Sequence, residues 1–460
     1  MINKTIILFI SSLLIFTPIA FGSVEIWAFS LMELGILLII FLWAIQSILL
    51  RNHDPLLRTP NSKLPAILFS LFLLLILFQM LPLPSAMIKI ISPQTFSLRQ
   101  QLLLPTDQLP MTTLSFVPFL TKIEFFKWLT LIGFFLFLLK WRYFDMKTIQ
   151  RLILVVFGVG LFESLYGMFE FFSGHKHILH LKMDHMISSV TGTFINRNAF
   201  AGYLLMVIPL SMGYLFSRQR HSMGQSTGLR HRLTSLDGKS LLIAFGVVLM
   251  ILGLLLSASR MGIASLLLSF SLISILFRNP QGRRKLSRPS ILILSLALLW
   301  AAWIGLDAVI SRFFTTSESF EDRWKIWQNT FQIIRDYPLL GSGIGTFTQV
   351  FPMYRSFHIR GLVTHAENDF LQLASETGLI GAGLLLTLFL YLFYRAMSGL
   401  RSLSYRESER YIGMGGLIGI LALMFHSLVE RNIQIPANAL LYTLIWATVL
   451  RIGFAKKGDI

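Results

Sequence analysis

The chain has 460 residues, 54% of them hydrophobic and 13% charged, with a mean hydropathy of +0.68, which excludes an ordinary soluble domain. A formal charge of +18 raises nucleic acid as a partner, yet no basic module interleaved with aromatic residues is present, so that class is set aside. Cysteine is absent, which removes disulfides and thiolate metal sites.

The long apolar runs lack the alternating pattern of outer-membrane strands, so helices must satisfy the backbone in lipid and the fold class is an all-α integral membrane protein. In chain order the predicted spans are 5–21, 27–50, 64–81, 125–139, 149–172, 199–216, 241–256, 262–277, 291–306, 379–394, 412–429 and 436–450, about 12 in all. Only SASRMG separates the seventh from the eighth, and a single re-entrant hairpin fits there nearly as well. The opening MINKTIILFISSLLIFTPIA also has the outline of a secretory signal. An uncut first span is favoured, because cleavage would move the N-terminus outside without changing the later charge pattern. Lys and Arg crowd RNHDPLLRTPNSK, KWRYFDMKTIQR and RNPQGRRKLSR, a positive-inside bias that predicts cytoplasmic termini and contact with anionic membrane lipids.

Three outer segments exceed simple connectors. In 82–124, LPLPSAMIKIISP reads as a short amphipathic helix between proline breaks. Segment 173–198 is rich in histidine. The largest, 307–378 between spans nine and ten, contains Trp324, Trp327, Phe331 and Ile334 at helical spacing, which predicts an amphipathic helix over 323–336 with its aromatic face on the bilayer or bundle. Pro338 ends it, and GSGIGTF reads as a glycine-rich turn, since it lacks the GK[ST] ending of a nucleotide loop. Thr364 and Glu367 then form a T-x-x-E capping box, placing His365 on the first turn of a helix that reaches about residue 377.

That placement has chemical consequences. The positive end of a helix dipole disfavours imidazolium, so His365 is predicted neutral and able to act as a general base; the plainer reading is an interfacial histidine. Glu367 reads first as a cap. Asn368 and Asp369 share the predicted face of His365, where they orient its ring or stand solvated. Arg260 is the single charge in 241–277, where an arginine at mid-helix costs roughly 2.5–3.5 kcal/mol. It snorkels to the surface or grips a lipid-linked diphosphate with its two-pronged fork. Arg323 and Arg197 join it or serve as helix-end anchors. His175, His177, His180 and His185 lie close enough for a metal, but Lys176 and Lys182 in the same loop favour a plain interfacial loop. Glu163, deep in the fifth span, is the residue a transporter of an anion or small solute would use. A non-catalytic scaffold of an envelope assembly is a further alternative.

With those residues in hand, the chain resembles the O-antigen ligase and polymerase superfamily of bacterial membrane glycosyltransferases. The likeness lies in TGTFINRNAFAGYLLMVIPL, LLSASRMG, DRWKIWQNTFQIIRDYPLLGSGIGTFTQVFPMY with THAENDFLQLASETGLIG, and FHSLVERNIQIPANALL. It covers most of 191–460, whereas 1–190 matches only in hydropathy and in features such as FGSVEIW and LPLP, so the expected division is an N-terminal set of spans, 1–190, and a ligase-related domain, 191–460, with loop 307–378. The resemblance implies a GT-C-like bundle in the bacterial inner membrane. It also implies a periplasmic, metal-independent and inverting transfer from undecaprenyl diphosphate to a hydroxyl of lipid A core or of another glycan, without a cofactor. By the same resemblance His365 is the catalytic base and Arg260 and Arg323 hold the diphosphate; Arg197, Asn198, Asn368 and Asp369 stand beside them in the sequence reading as substrate-binding candidates. Many relatives have HN directly where this chain has HAEN, which displaces the asparagine to Asn368.

Overall fold

The computed structural model describes residues 2–49, 63–101, 110–174, 177–182, 189–222, 237–277, 317–358, 361–403 and 408–454. Each predicted apolar run except 291–306, which lies outside the described residues, coincides with a helix, though 5–21 and 412–429 run past the ends of theirs at Ile19 and His426. Helices α1 (Ile2–Ile19), α2 (Ile26–Leu49) and α3 (Lys63–Met80) come first. Two short helices follow, α4 (Ser85–Ile91) and α5 (Pro93–Gln101), then α6 (Pro118–Lys140), α7 (Met146–Ser173) and α8 (Arg197–Ser222). Next are α9 (Gly238–Leu256), α10 (Arg260–Leu276), α11 (Ser317–Asp336) and the single turn α12 (Phe347–Val350). The chain closes with α13 (Asp369–Ser402), α14 (Glu409–His426) and α15 (Pro436–Phe454). Eight of the described helices are long and apolar enough to cross a membrane, and the only strands among the described residues are two-residue pairs, so this is an all-α membrane protein.

Local chemistry sets the helix ends. Asp145 caps α7 by accepting from the Thr148 amide at 2.9 Å, and Asp237 caps α9 through the Ser240 amide at 3.2 Å. Helix α7 stops at Gly174 in the left-handed region, φ 68°. The predicted short helix between prolines is α4, and a two-residue antiparallel pair of Leu83–Pro84 with Met111–Thr112 closes the loop around it.

Helix α8 lies at the centre and packs on α7, α9, α14 and α15. Its approach to α14 is close enough that a Cβ on Gly415 would run into the Pro209 carbonyl oxygen. In lipid, where apolar burial drives little association, such small-residue contacts let backbones pack tightly. One apolar core runs from Ile6 and Leu13 through Leu204 and Val207 to Leu440 and Ile452, drawing on both sides of residue 190. Helices α9 and α10 each pack chiefly on other helices, α9 on α7 and α8 and α10 on α14, which is the behaviour of two separate elements rather than of one hairpin.

The outer segments form a small second core over one end of the bundle. Ile326, Ile333, Tyr337, Phe347 and Phe351 are buried there together. The helix predicted at 323–336 begins earlier, at Ser317, and its buried face is offset from the predicted aromatic one: Trp324 and Phe331 are exposed, whereas Ile326, Asn329, Thr330 and Ile333 face inward. Apolar periodicity missed this stripe because two of its members are polar and satisfied locally. Thr330 Oγ1 donates to the Ile326 carbonyl at 2.8 Å, and Asn329 Nδ2 to the Tyr354 carbonyl at 2.5 Å.

GSGIGTF is a turn, as expected, and it is wedged against a break in α13. Gly378 has φ 66° and ψ −178°, and a side chain there would meet the Leu339 carbonyl as well as left-handed strain. Gln79 ties the two together, donating to the Glu376 carbonyl at 2.9 Å and accepting from the Ile344 amide at 3.1 Å.

Candidate functional site

The turn between α14 and α15, residues 427–435, is the organising element of the candidate site. Asp369 Oδ2 accepts the amides of Asn432 and Ile433, each at 2.9 Å, while the Asp369 amide donates to the Ser427 carbonyl at 3.0 Å. Asn368 spans the same junction, accepting from the Phe370 and Leu371 amides with Oδ1 and donating from Nδ2 to the Leu428 carbonyl at 2.6 Å. The start of α13 and this turn are therefore locked by buried backbone groups that would be costly to leave unpaired.

This corrects the predicted capping box. Helix α13 begins at Asp369 with Asn368 as its cap, Glu367 has φ 50°, and His365 stands in the preceding loop rather than on a helical turn. Asparagine is the stronger N-cap, and its bond to Leu428 adds a tertiary tie that Thr364 has no means to match. Asn368 and Asp369 thus do not share a helix face with His365, and the atoms that cap α13 and hold the turn are committed to protein groups. The helix-dipole argument for a neutral His365 falls with the helix.

Arg323, from α11, enters from the side. Its Nη2 lies 2.5 Å from Glu430 Oε1, and its Nη1 donates to the Val429 carbonyl at 3.2 Å. Asn198, next to the start of α8, hydrogen-bonds the same Glu430. Burial pushes the Glu430 carboxyl up to about 7 against the opposing pull of Arg323, and neighbouring Glu367, also raised by burial, adds to the push. On the far side, Ser259 Oγ lies 3.3 Å from His426 Nε2, which brings the SASR turn to the end of α14. Arg260 is the first residue of α10, half-buried beside that contact and engaged with the protein. It therefore sits at a helix end, not at mid-helix.

His365 occupies a loop pinned at its neighbour Ala366. The Ala366 carbonyl accepts from Trp327 Nε1 at 3.0 Å, and the Ala366 amide donates to Gln372 Oε1 at 3.1 Å. His365 Nδ1 lies against the Thr364 carbonyl, which leaves Nε2 as the ring nitrogen turned away from that contact. The ring is half-buried, open enough to meet a substrate.

The turn thus gathers Arg323, Asn198, Asn368 and Asp369, with the Ser259–Arg260 corner and Arg197 at the same end of the bundle and His365 in the adjoining loop. Sequence reasoning singled out neither Glu430 nor the Ser259–His426 contact. The available signal was ERN, a cluster of polar residues in the short connector between two apolar runs. The histidine loop gives a different result. His177 lies in a two-residue strand pair and the His180 ring packs edge-on against Phe21 at 5.4 Å, while His175 and His185 lie outside the described residues.

Glu163 is fully buried, and its carboxylate accepts the Thr193 amide at 2.7 Å with Thr193 Oγ1 at 2.8 Å. Thr193 Oγ1 also lies 2.9 Å from the Pro18 carbonyl, so Glu163 staples the TGTF turn to α7 and α1. A carboxylate so engaged holds the segment that leads into Arg197 and Asn198, which accounts for its burial without transport.

A family model described as O-antigen ligase matches residues 245–386, which take in Arg260, Arg323, His365, Asn368 and Asp369 but stop short of the 427–435 turn. No curated protein matches the chain. The likeness to the O-antigen ligase and polymerase superfamily therefore rests on residues 245–386.

Proposed function

We propose that this membrane glycosyltransferase moves a glycan from undecaprenyl diphosphate to an acceptor hydroxyl at the end of the bundle that bears the 427–435 turn. One observation carries the reading: within the family-matched segment, Arg323 bonds the Val429 carbonyl of the turn that α13 also grips, and Ser259, the residue before Arg260, contacts His426 at the end of the helix leading into that turn. Two guanidinium groups at a membrane surface suit the oxygens of a lipid diphosphate. The topology that fits has cytoplasmic termini, about 12 spans and a periplasmic site in the inner membrane, with the acceptor either lipid A core or another carrier-linked glycan.

In the proposed reaction the acceptor hydroxyl attacks the anomeric carbon from the face opposite the diphosphate. A C–O bond forms to the acceptor as the bond to the diphosphate oxygen breaks, with inversion. His365 Nε2 takes the hydroxyl proton, while Arg260 and Arg323 stabilise the charge that grows on the departing diphosphate. Arg323 has five N–H donors and commits only part of them to Glu430 and Val429, so its fork retains donors for phosphate. Diphosphate leaves without protonation, which removes the need for the carboxylic acid of glycoside hydrolases. Arg197 and Asn198 line the same end from α8 and complete the substrate-binding set. Asn368 and Asp369 act by holding the turn.

The test is transfer from undecaprenyl-diphosphate-linked glycan by purified protein. His365→Ala is expected to lower turnover by about 10²–10⁴-fold with unchanged yield of folded protein; turnover near the parent level removes His365 as the base. A deletion strain on a glycolipid gel then separates the two acceptors. Loss of a ligase strands long chains on the carrier, and loss of a polymerase leaves the surface lipid with at most one repeat.

A further inference from the structure

Arg431 sits at the centre of the 427–435 turn, between Glu430 and Asn432. Glu430 is paired with Arg323, and the Asn432 amide is taken by Asp369. The Arg431 guanidinium, half-buried, has no hydrogen-bond or ion-pair partner among the described residues. Its surroundings draw its pKa down to about 10 by burial alone, with no carboxylate pulling the other way. The acids of the neighbourhood are committed elsewhere: Glu430 and Glu367 to the field of Arg323, and Asp369 Oδ2 to backbone amides.

A guanidinium keeps its charge at every physiological pH, so withdrawing it from water without a counter-charge is unfavourable. The turn that holds it is also rigid, fixed from α13 through Asp369 and Asn368 and from α11 through Arg323. A fixed, partly desolvated and unpaired arginine is a preorganised anion site, and its partly exposed face gives a ligand access. We infer that Arg431 binds a phosphate oxygen of the lipid-linked donor, as a third arginine beside Arg260 and Arg323. This rests on the proposed use of a prenyl diphosphate donor. It adds a residue outside the family-matched segment 245–386, contributed by the turn whose neighbouring Glu430 already positions Arg323.

A binding arginine and a structural arginine differ in what their removal does to the empty protein. An unpaired buried charge destabilises the ligand-free fold, so Arg431→Met is expected to keep or raise the thermal midpoint of the detergent-solubilised full chain. The same change is expected to weaken binding of undecaprenyl diphosphate by about tenfold or more. Arg431→Lys, which keeps the charge and loses the fork, is expected to weaken binding at an unchanged midpoint. Vesicles of phosphatidylglycerol form the second arm, and their binding should be the same for parent and variants. Equal affinity of parent and both variants for undecaprenyl diphosphate overturns the inference. So does a lowered midpoint in both variants, which marks a structural arginine, or an equal loss of phosphatidylglycerol binding, which marks a general headgroup anchor. If the parent chain fails to bind undecaprenyl diphosphate, the donor reading itself falls and takes this inference with it.

Discussion

Helices α8 and α2 are both apolar enough to cross a membrane, yet 94% of the apolar window of α8 is buried in protein and only 22% of that of α2. Helix α15 resembles the first, at 78%, and α3 the second, at 28%. The more exposed pair is the more apolar, with mean hydropathy 2.4 and 2.1 against 1.7 for α8 and 1.4 for α15, so apolarity is not what draws a helix to the centre. What separates them is what their ends and small residues do. Helices α8, α14 and α15 meet through glycines and open into the polar turn that gathers the arginines, whereas α2 turns Leu34, Leu37 and Phe41 outward. Within a bilayer, a helix becomes central by close backbone contact and polar junctions, not by greater apolarity.

The sharpest way to break that contrast is to obstruct the central contact. Gly415→Leu places a branched side chain where the Pro209 carbonyl already stands, and neither backbone has room to retreat without separating α8 from α14. A loss of about 3 kcal/mol or more is expected, read as failure to recover monodisperse protein or as a steep fall in thermal midpoint. A Leu variant as stable as the parent would show that the close approach is not what holds the centre together.

A smaller effect, with a pH signature, tests the polar junction. The Glu430 carboxyl lies at about 7 in the fold against an ordinary 4.5, so between those values the folded chain holds a proton that the unfolded chain has released. More protons on the folded side means that the stability Glu430 contributes is complete below about 4.5 and is lost as pH rises through about 7. Glu430→Gln, neutral throughout, should flatten the fall in unfolding free energy across that window by an amount on the order of 1–3 kcal/mol. Identical pH profiles for parent and variant would mean that Glu430 stays ionised beside Arg323, and that the junction is a plain ion pair.

These cases also mark what the sequence could express. Apolar runs announce helices because lipid permits little else, and the ends of α7 and α9 are written in Asp145 and Asp237. The start of α13 was misplaced because Thr364 and Asn368 are both competent caps, and the choice between them is made by the Leu428 carbonyl, remote in the chain. The inward face of α11 was not legible for a related reason, since Asn329 and Thr330 are buried only because Tyr354 and the helix backbone satisfy them. Arg260, Arg323 and His365 were legible as unusual charges and as family matches. The anchor of Arg323 was not, because its bond to Glu430 joins segments that no local pattern connects.

The smallest expected effect comes from the lipid-facing side, and it is the one that gives the comparison its meaning. Leu34 is 61% exposed on α2, and in a water-soluble protein an outward leucine would be a liability that alanine relieves. In a buried core the same truncation would cost about 2–5 kcal/mol through the cavity it leaves. Neither applies to a side chain that exchanges one hydrocarbon neighbour for another: lipid chains flow into the space, no cavity persists, and little apolar area changes solvent. Leu34→Ala is therefore expected to move stability by less than about 0.5 kcal/mol in bilayers, measured by unfolding of the protein in lipid nanodiscs. A loss of core size there would reveal a protein partner on the α2 face and would move α2 from the lipid-facing class to the packed one.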